Sequence, residues 1–127
     1  MELSRHGRAE TGTVIVAVSG AAASPHESMR LRGYLNAVTR EAGVRHLVLD
    51  LSELTSLDST SLGVIVGAFI RIRDAGGSLH LAGLTDRPRE IIVESTGLGR
   101  VIPTTVDTDT ALGEIRAALP GTRQENR

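Results

Sequence analysis

The spacing of apolar residues changes several times along the chain, and each change marks an element. Residues 13–19 (TVIVAVS) are rich in β-branched side chains and predict a strand that Gly20 closes. Residues 21–25 are a connection of small residues. From 26 to 41 the apolar residues Met29, Leu31, Leu35 and Val38 recur at roughly helical spacing, with Gly43 as a stop. Residues 46–51 (HLVLDL) are apolar almost throughout, the pattern of a central strand covered on both faces. Residues 52–57 read as a loop. The clearest helix is 60–74, where Leu62, Ile65, Val66, Phe69 and Ile70 repeat as one core face. Residues 78–82 are a third core strand. Asp86 caps a helix with Pro88 in its first turn, running to about Thr96 before Gly97. Residues 100–102 read as a short strand and 107–119 as the last helix. At the start, 2–7 form a short edge strand or stay loose, and Glu10-Thr11-Gly12 is a turn.

Strands alternating with helices imply an α/β fold with right-handed crossovers. The expected sheet is mixed but mostly parallel, with four to five strands and about four helices. No internal repeat or linker interrupts the pattern. Residues 1–127 therefore read as one domain, with its core at about 13–119 and a frayed tail at 120–127.

Composition narrows the function. Tyr34 and Phe69 are the only aromatic residues, which leaves no stacking platform for bases. The formal net charge is −1, so no basic surface awaits nucleic acid. All 14 basic residues are Arg, a bias expected of a GC-rich genome. The absence of Cys excludes disulfides, thiolate metal sites and cysteine nucleophiles. No apolar run approaches the ~20 residues that span a bilayer, and the first ten residues lack the apolar region of a signal peptide. The expectation is a cytoplasmic protein that does not enter a membrane.

The candidate working point is Asp58-Ser59-Thr60, where a loop passes into the 60–74 helix. Helix starts carry orphan N–H groups and the positive end of the dipole. Asp58 or Ser59 can cap those groups, and an added anion is favoured there. Val64, Ala68 and Ile72 lie away from the assigned core face and predict an exposed apolar stripe for a docked partner. No enzyme signature surrounds Ser59: there is no Gly-x-Ser-x-Gly elbow and no phosphate-binding glycine loop. His6, His26, His46 and His80 lack metal-ligand spacing. His46 and His80 are expected at strand edges, His6 and His26 in solvent. Catalytic residues, metal and cofactor are all expected to be absent.

The stretch LVLDLSELTSLDSTSLGVIVGAFIRIRDAGGSLHLAGL resembles the heart of a STAS domain, in particular a bacterial anti-sigma-factor antagonist. The matching residues are Asp50-Leu51-Ser52 and Asp58-Ser59-Thr60-Ser61-Leu62-Gly63, supported by Ser95-Thr96-Gly97-Leu98. The resemblance covers roughly residues 13–118. It implies that Ser59 is phosphorylated by an anti-sigma factor that is also a serine kinase. It further implies that the unphosphorylated form captures that factor and frees the sigma factor, and that a metal-dependent serine phosphatase resets the switch. Asp58, Ser59, Thr60, Ser61, Gly63 and Val64 are the expected partner-binding residues. Two positions depart from the pattern. Ser61 stands where Gly is usual, and Gly20-Ala21-Ala22-Ala23 replaces Gly-Glu-Leu/Ile-Asp, in a loop expected near Ser59. The alternative implied by these departures is a non-switching scaffold or assembly subunit; a homodimer and a ligand-sensing domain with an internal cavity also remain open.

Overall fold

Three apolar runs that cannot stay in water meet side by side at the centre of the protein. The computed structural model describes residues 1–9 and 12–118. In chain order the elements are β1 (Glu2–Ala9), β2 (Thr13–Ala22), α1 (Pro25–Arg40), β3 (His46–Asp50), β4 (Leu54–Leu57), α2 (Ser59–Asp74), β5 (Ser78–Ala82), α3 (Asp86–Arg89), β6 (Thr104–Thr105) and α4 (Thr108–Ala118). A π-helical stretch, Glu90–Ser95, continues α3. The sheet order is β1-β2-β3-β5-β6, with β4 added to the far end of β2. Among the described residues only the β1–β2 pair is antiparallel.

Register explains the burial. Val14, Leu47 and Leu79 align across β2, β3 and β5, and Val16, Leu49 and Leu81 form the next such row. Successive strand residues point to opposite faces, so these six share one face, and all are inaccessible to solvent. α1, α2 and Ile92 of the π-helical stretch complete that core. Each such Leu or Val is worth roughly 1.5–3 kcal/mol on burial. The opposite face carries Val48 and Ala82 under Ala111 and Ile115 of α4, with Ile15 and Leu112 packed at the margin.

Several elements differ from the sequence pattern, for identifiable reasons. β2 does not stop at Gly20; it bends there, at φ 83°, and continues to Ala22 by pairing with β4. Residues 54–57 are therefore strand, not loop; Leu54 and Leu57 are buried, but four residues are too few to display a period. Met29 is 73% exposed. It lies two residues from Leu31, about 200° round a helix of 3.6 residues per turn, and so faces away from the core. Val64, Ala68 and Ile72 are buried within the main core, so the predicted docking stripe is not on the surface. α2 packs against both α1 and the sheet, which buries a wider arc than one sheet contact alone would, and Ile70 is left 41% exposed instead. Residues 98–100 form a 3₁₀ turn, and the strand comes later, at Thr104–Thr105. Thr85 holds the cap position of α3, with Asp86 in the first turn. The helix does end at Thr96, with Gly97 left-handed at φ 73°. Glu10, Thr11, Leu119 and the expected tail lie outside the described residues. No described helix is long and apolar enough to cross a membrane.

Gly77 marks the tightest approach. A Cβ there would fall 1.7 Å from the Arg45 carbonyl oxygen, so only glycine lets the chain enter β5 beside β3.

His80 is not at a strand edge. It sits within β5, under α4, and is only 7% exposed. Burial lowers its pKa against the opposing pull of the Glu114 carboxylate, and burial also lowers that of His46. Below the ordinary value of 6.5 the unfolded chain thus binds more protons than the folded one. Stability should be full above about pH 6.5 and fall as the pH drops from there towards the depressed folded values. Thermal unfolding followed between about pH 8 and pH 5 checks this, and His80→Leu should flatten the acid limb; a midpoint independent of pH in the parent protein would contradict it.

Candidate functional site

Asp58 is fixed by three hydrogen bonds at the entrance to α2. Its Oδ1 accepts from the Ser61 N–H at 2.8 Å. Its own N–H donates to the Ala22 carbonyl at 3.0 Å, and its carbonyl accepts from the Leu62 N–H at 3.0 Å. The side chain thereby caps the helix, with Asp58 extended at φ −92°, ψ 172°. The Ala22 bond also places residues 20–23 beside the helix start, where the sequence pattern put them.

The residues that follow are divided between surface and core. Ser59 and Thr60 are exposed, as is Gly63 one turn on. Among the described residues nothing bonds to the Ser59 hydroxyl. Ser61 is fully buried, and its hydroxyl meets that of Ser28 on α1 at 2.7 Å. This pair explains how a serine fits at that position: Ser28 supplies the only polar partner such a buried hydroxyl needs. It also joins α1 to the first turn of α2. The expected set of partner-binding residues is therefore split. Asp58, Ser59, Thr60 and Gly63 reach the surface, whereas Ser61 and Val64 are buried.

Two surface features near Ser59 were missed by the hydrophobic pattern. Val66 and Ile70 continue the Ser59–Gly63 side of α2 at turn spacing, half-buried and exposed respectively. Beside Thr60 lies a depression of about 170 Å³ lined by Pro25, Ser28, Met29 and Arg32. Its signal was present in the angular position of Met29, opposite Leu31, Leu35 and Val38. No group of His, Asp or Glu suited to a metal ion occurs among the described residues. His6 and His26 are exposed, as expected.

Residues 7–111 match the model of the STAS domain family. The chain belongs to the STAS domain family. The anti-sigma-B factor antagonist of Listeria monocytogenes is 46% identical over 56 residues, 44% of this chain and 48% of that protein. The match thus spans about half the length of that relative. The anti-sigma F factor antagonist of Paenibacillus polymyxa is 29% identical over 104 residues, 82% of this chain and 87% of that one. Among solved structures, an anti-sigma factor antagonist from Mycobacterium paratuberculosis superposes with a TM-score of 0.77 at 23% identity, covering 91% of this chain and 95% of the other. The phosphorylated form of the Bacillus cell fate determinant SpoIIAA gives 0.67 at 15% identity, covering 87% and 96%. These two likenesses are of fold. They agree with the mostly parallel sheet and four helices of this STAS domain.

The Ser28–Ser61 pair yields a quantitative expectation. Ser28→Ala strands a buried hydroxyl and should cost about 1–3 kcal/mol, as should Ser61→Ala. The double variant should cost clearly less than the sum of the two, because neither partner is then unsatisfied. Denaturant unfolding of the three variants measures this; additive costs would show that the two hydroxyls are not coupled.

Proposed function

We propose that this STAS domain is an anti-sigma-factor antagonist whose exposed Ser59 is the switch. The observation that carries the reading is the division at the start of α2. Asp58 and Ser61 are locked into the fold, while Ser59 between them stands in solvent with its hydroxyl unbonded among the described residues. A kinase can reach that hydroxyl without disturbing the helix. The unphosphorylated surface binds an anti-sigma factor with serine kinase activity, which releases the sigma factor. Phosphorylation of Ser59 ends the binding, and a metal-dependent serine phosphatase restores it. The names of the Listeria and Paenibacillus relatives support the antagonist role, and the solved phosphorylated form of a fold neighbour supports the switch.

The electrostatics run in the required direction. A phosphate adds about −1.5 to −2 charge at pH 7. In the free protein the helix N-terminus compensates by roughly 0.3–1 kcal/mol. In a docked interface the same group loses water beside the Asp58 carboxylate, which costs more than the dipole returns. Every 1.4 kcal/mol of that difference is about tenfold in affinity. Around Ser59 the docking surface consists of Thr60, Gly63, Val66 and Ile70 on α2, with Met29 and Arg32 across the depression.

One observation favours a second reading, a scaffold that does not switch. Ala21 and Ala23 leave the segment beside Asp58 without carboxylates. Incubation with serine-kinase anti-sigma factors and ATP, followed by mass spectrometry, separates the two. The switch requires phosphate on Ser59, absent in Ser59→Ala. It also requires Ser59→Asp to bind the partner at least about tenfold more weakly, at an unchanged unfolding midpoint. A chain that no such kinase binds or modifies, and that assembles into a large homo-oligomer, is the scaffold.

A further inference from the structure

A cavity of about 590 Å³ opens at the opposite end of the sheet from Ser59, where β3 and β5 begin. Its size lies within the ~300–1,000 Å³ common for small-molecule sites. Pro103, Ile115 and Ala118 give it apolar walls, with the backbone of Gly76 and Gly77 at one side. Its polar groups are arranged in order. The Ser78 hydroxyl bridges His46 Nδ1 at 2.8 Å and His80 Nε2 at 3.2 Å. Among the described residues, His80 Nδ1 is buried without a hydrogen-bond partner. The Glu114 carboxylate stands 4.0 Å from it, beyond hydrogen-bond reach. Arg45 lies at the mouth, exposed, and its guanidinium has no partner among the described residues.

Ser78, His80 and Glu114 follow the order of a nucleophile, base and acid, but the site lacks the means to stabilise an oxyanion. The N–H groups of Gly76, Gly77 and Ser78 are already donated to Arg73, Ile72 and Arg45 carbonyls. Without such donors acyl transfer has no support. Binding remains the use to which the groups are suited.

We propose that this cavity binds a small zwitterion with an apolar body, of the class of the hydrophobic α-amino acids. Two acceptors 4.0 Å apart, His80 Nδ1 and a Glu114 oxygen, suit one ammonium nitrogen about 2.8 Å from each. An ammonium there gives the orphaned His80 nitrogen a donor and Glu114 a counter-charge. The lowered pKa of His80 agrees with a neutral ring that accepts. The carboxylate pairs with Arg45 at the mouth, whose planar fork suits a two-oxygen acceptor. The side chain lies against Pro103, Ile115 and Ala118. The proposal does not depend on the role of Ser59, since the two sites occupy opposite ends of parallel strands.

The test is an NMR titration of the full chain with L-phenylalanine and L-leucine. 3-Phenylpropionate, which lacks the ammonium, and 2-phenylethylamine, which lacks the carboxylate, serve as comparisons. L-Phenylalanine should saturate, with amide shifts centred on His46, Ser78, His80 and Glu114. Each comparison compound should bind at least about tenfold more weakly. Glu114→Gln and Arg45→Ala should each weaken L-phenylalanine about tenfold; both positions are exposed, so the fold is retained. Ser59→Ala should bind as the parent does. Lack of saturation by either amino acid up to about 10 mM would overturn the proposal. So would a comparison compound binding as tightly as phenylalanine, or indifference of the affinity to both variants.

Discussion

The Asp58 carboxylate bears the geometry of the Ser59 end of this molecule. Capping the Ser61 N–H sets where α2 begins, and the backbone bond to Ala22 sets where that beginning lies relative to the sheet. Remove the cap, and a helix of this kind loses roughly 0.5–2 kcal/mol and its first turn frays. Ser59 and Thr60 are exposed between two residues that are held by the fold. Asp58 turns its side chain back over the first turn, and Ser61 points into the α1 contact with Ser28. A residue presented in this way can change charge without disturbing the core beneath it.

The sheet makes that commitment possible. Rows of fully buried Val and Leu across β2, β3 and β5 leave the ends of the strands as the places where polar chemistry can gather. In a parallel sheet the two ends are unlike. One carries the strand-to-helix passage at Asp58, the other the cluster of His46, Ser78, His80 and Glu114 beneath α4. Polar groups buried in the cluster are costly unless satisfied, and His80 Nδ1 has no partner among the described residues. The two ends share the same core.

Much of this was legible in the sequence. The β5 run, the nearly continuous β3 run and the start of α2 read directly, because burial on both faces and helix capping each leave a local signature. β4 did not read, because two buried leucines three apart carry no strand period and the strand exists only through its pairing with β2. The flank of α2 was assigned wrongly for a related reason. A single helix pattern cannot tell that α2 packs against both α1 and the sheet, which leaves Val64 and Ala68 buried and Val66 and Ile70 on the more exposed side. The departure from the family pattern at Ser61 has its physical reason in Ser28, 33 residues away, which the sequence alone does not bring beside it. His80 was unreadable, since its burial depends on α4, which begins 28 residues later at Thr108 and packs on the far face.

The central claim is that phosphate on Ser59 breaks docking through charge beside Asp58 rather than through unfolding. Asn caps a helix about as well as Asp and removes the carboxylate charge. The direct measurement is the affinity of an anti-sigma factor for the phosphorylated and unphosphorylated chain, in the parent and in Asp58→Asn. The account predicts that the penalty of phosphorylation shrinks by about tenfold in Asp58→Asn. An identical penalty in both proteins would contradict it.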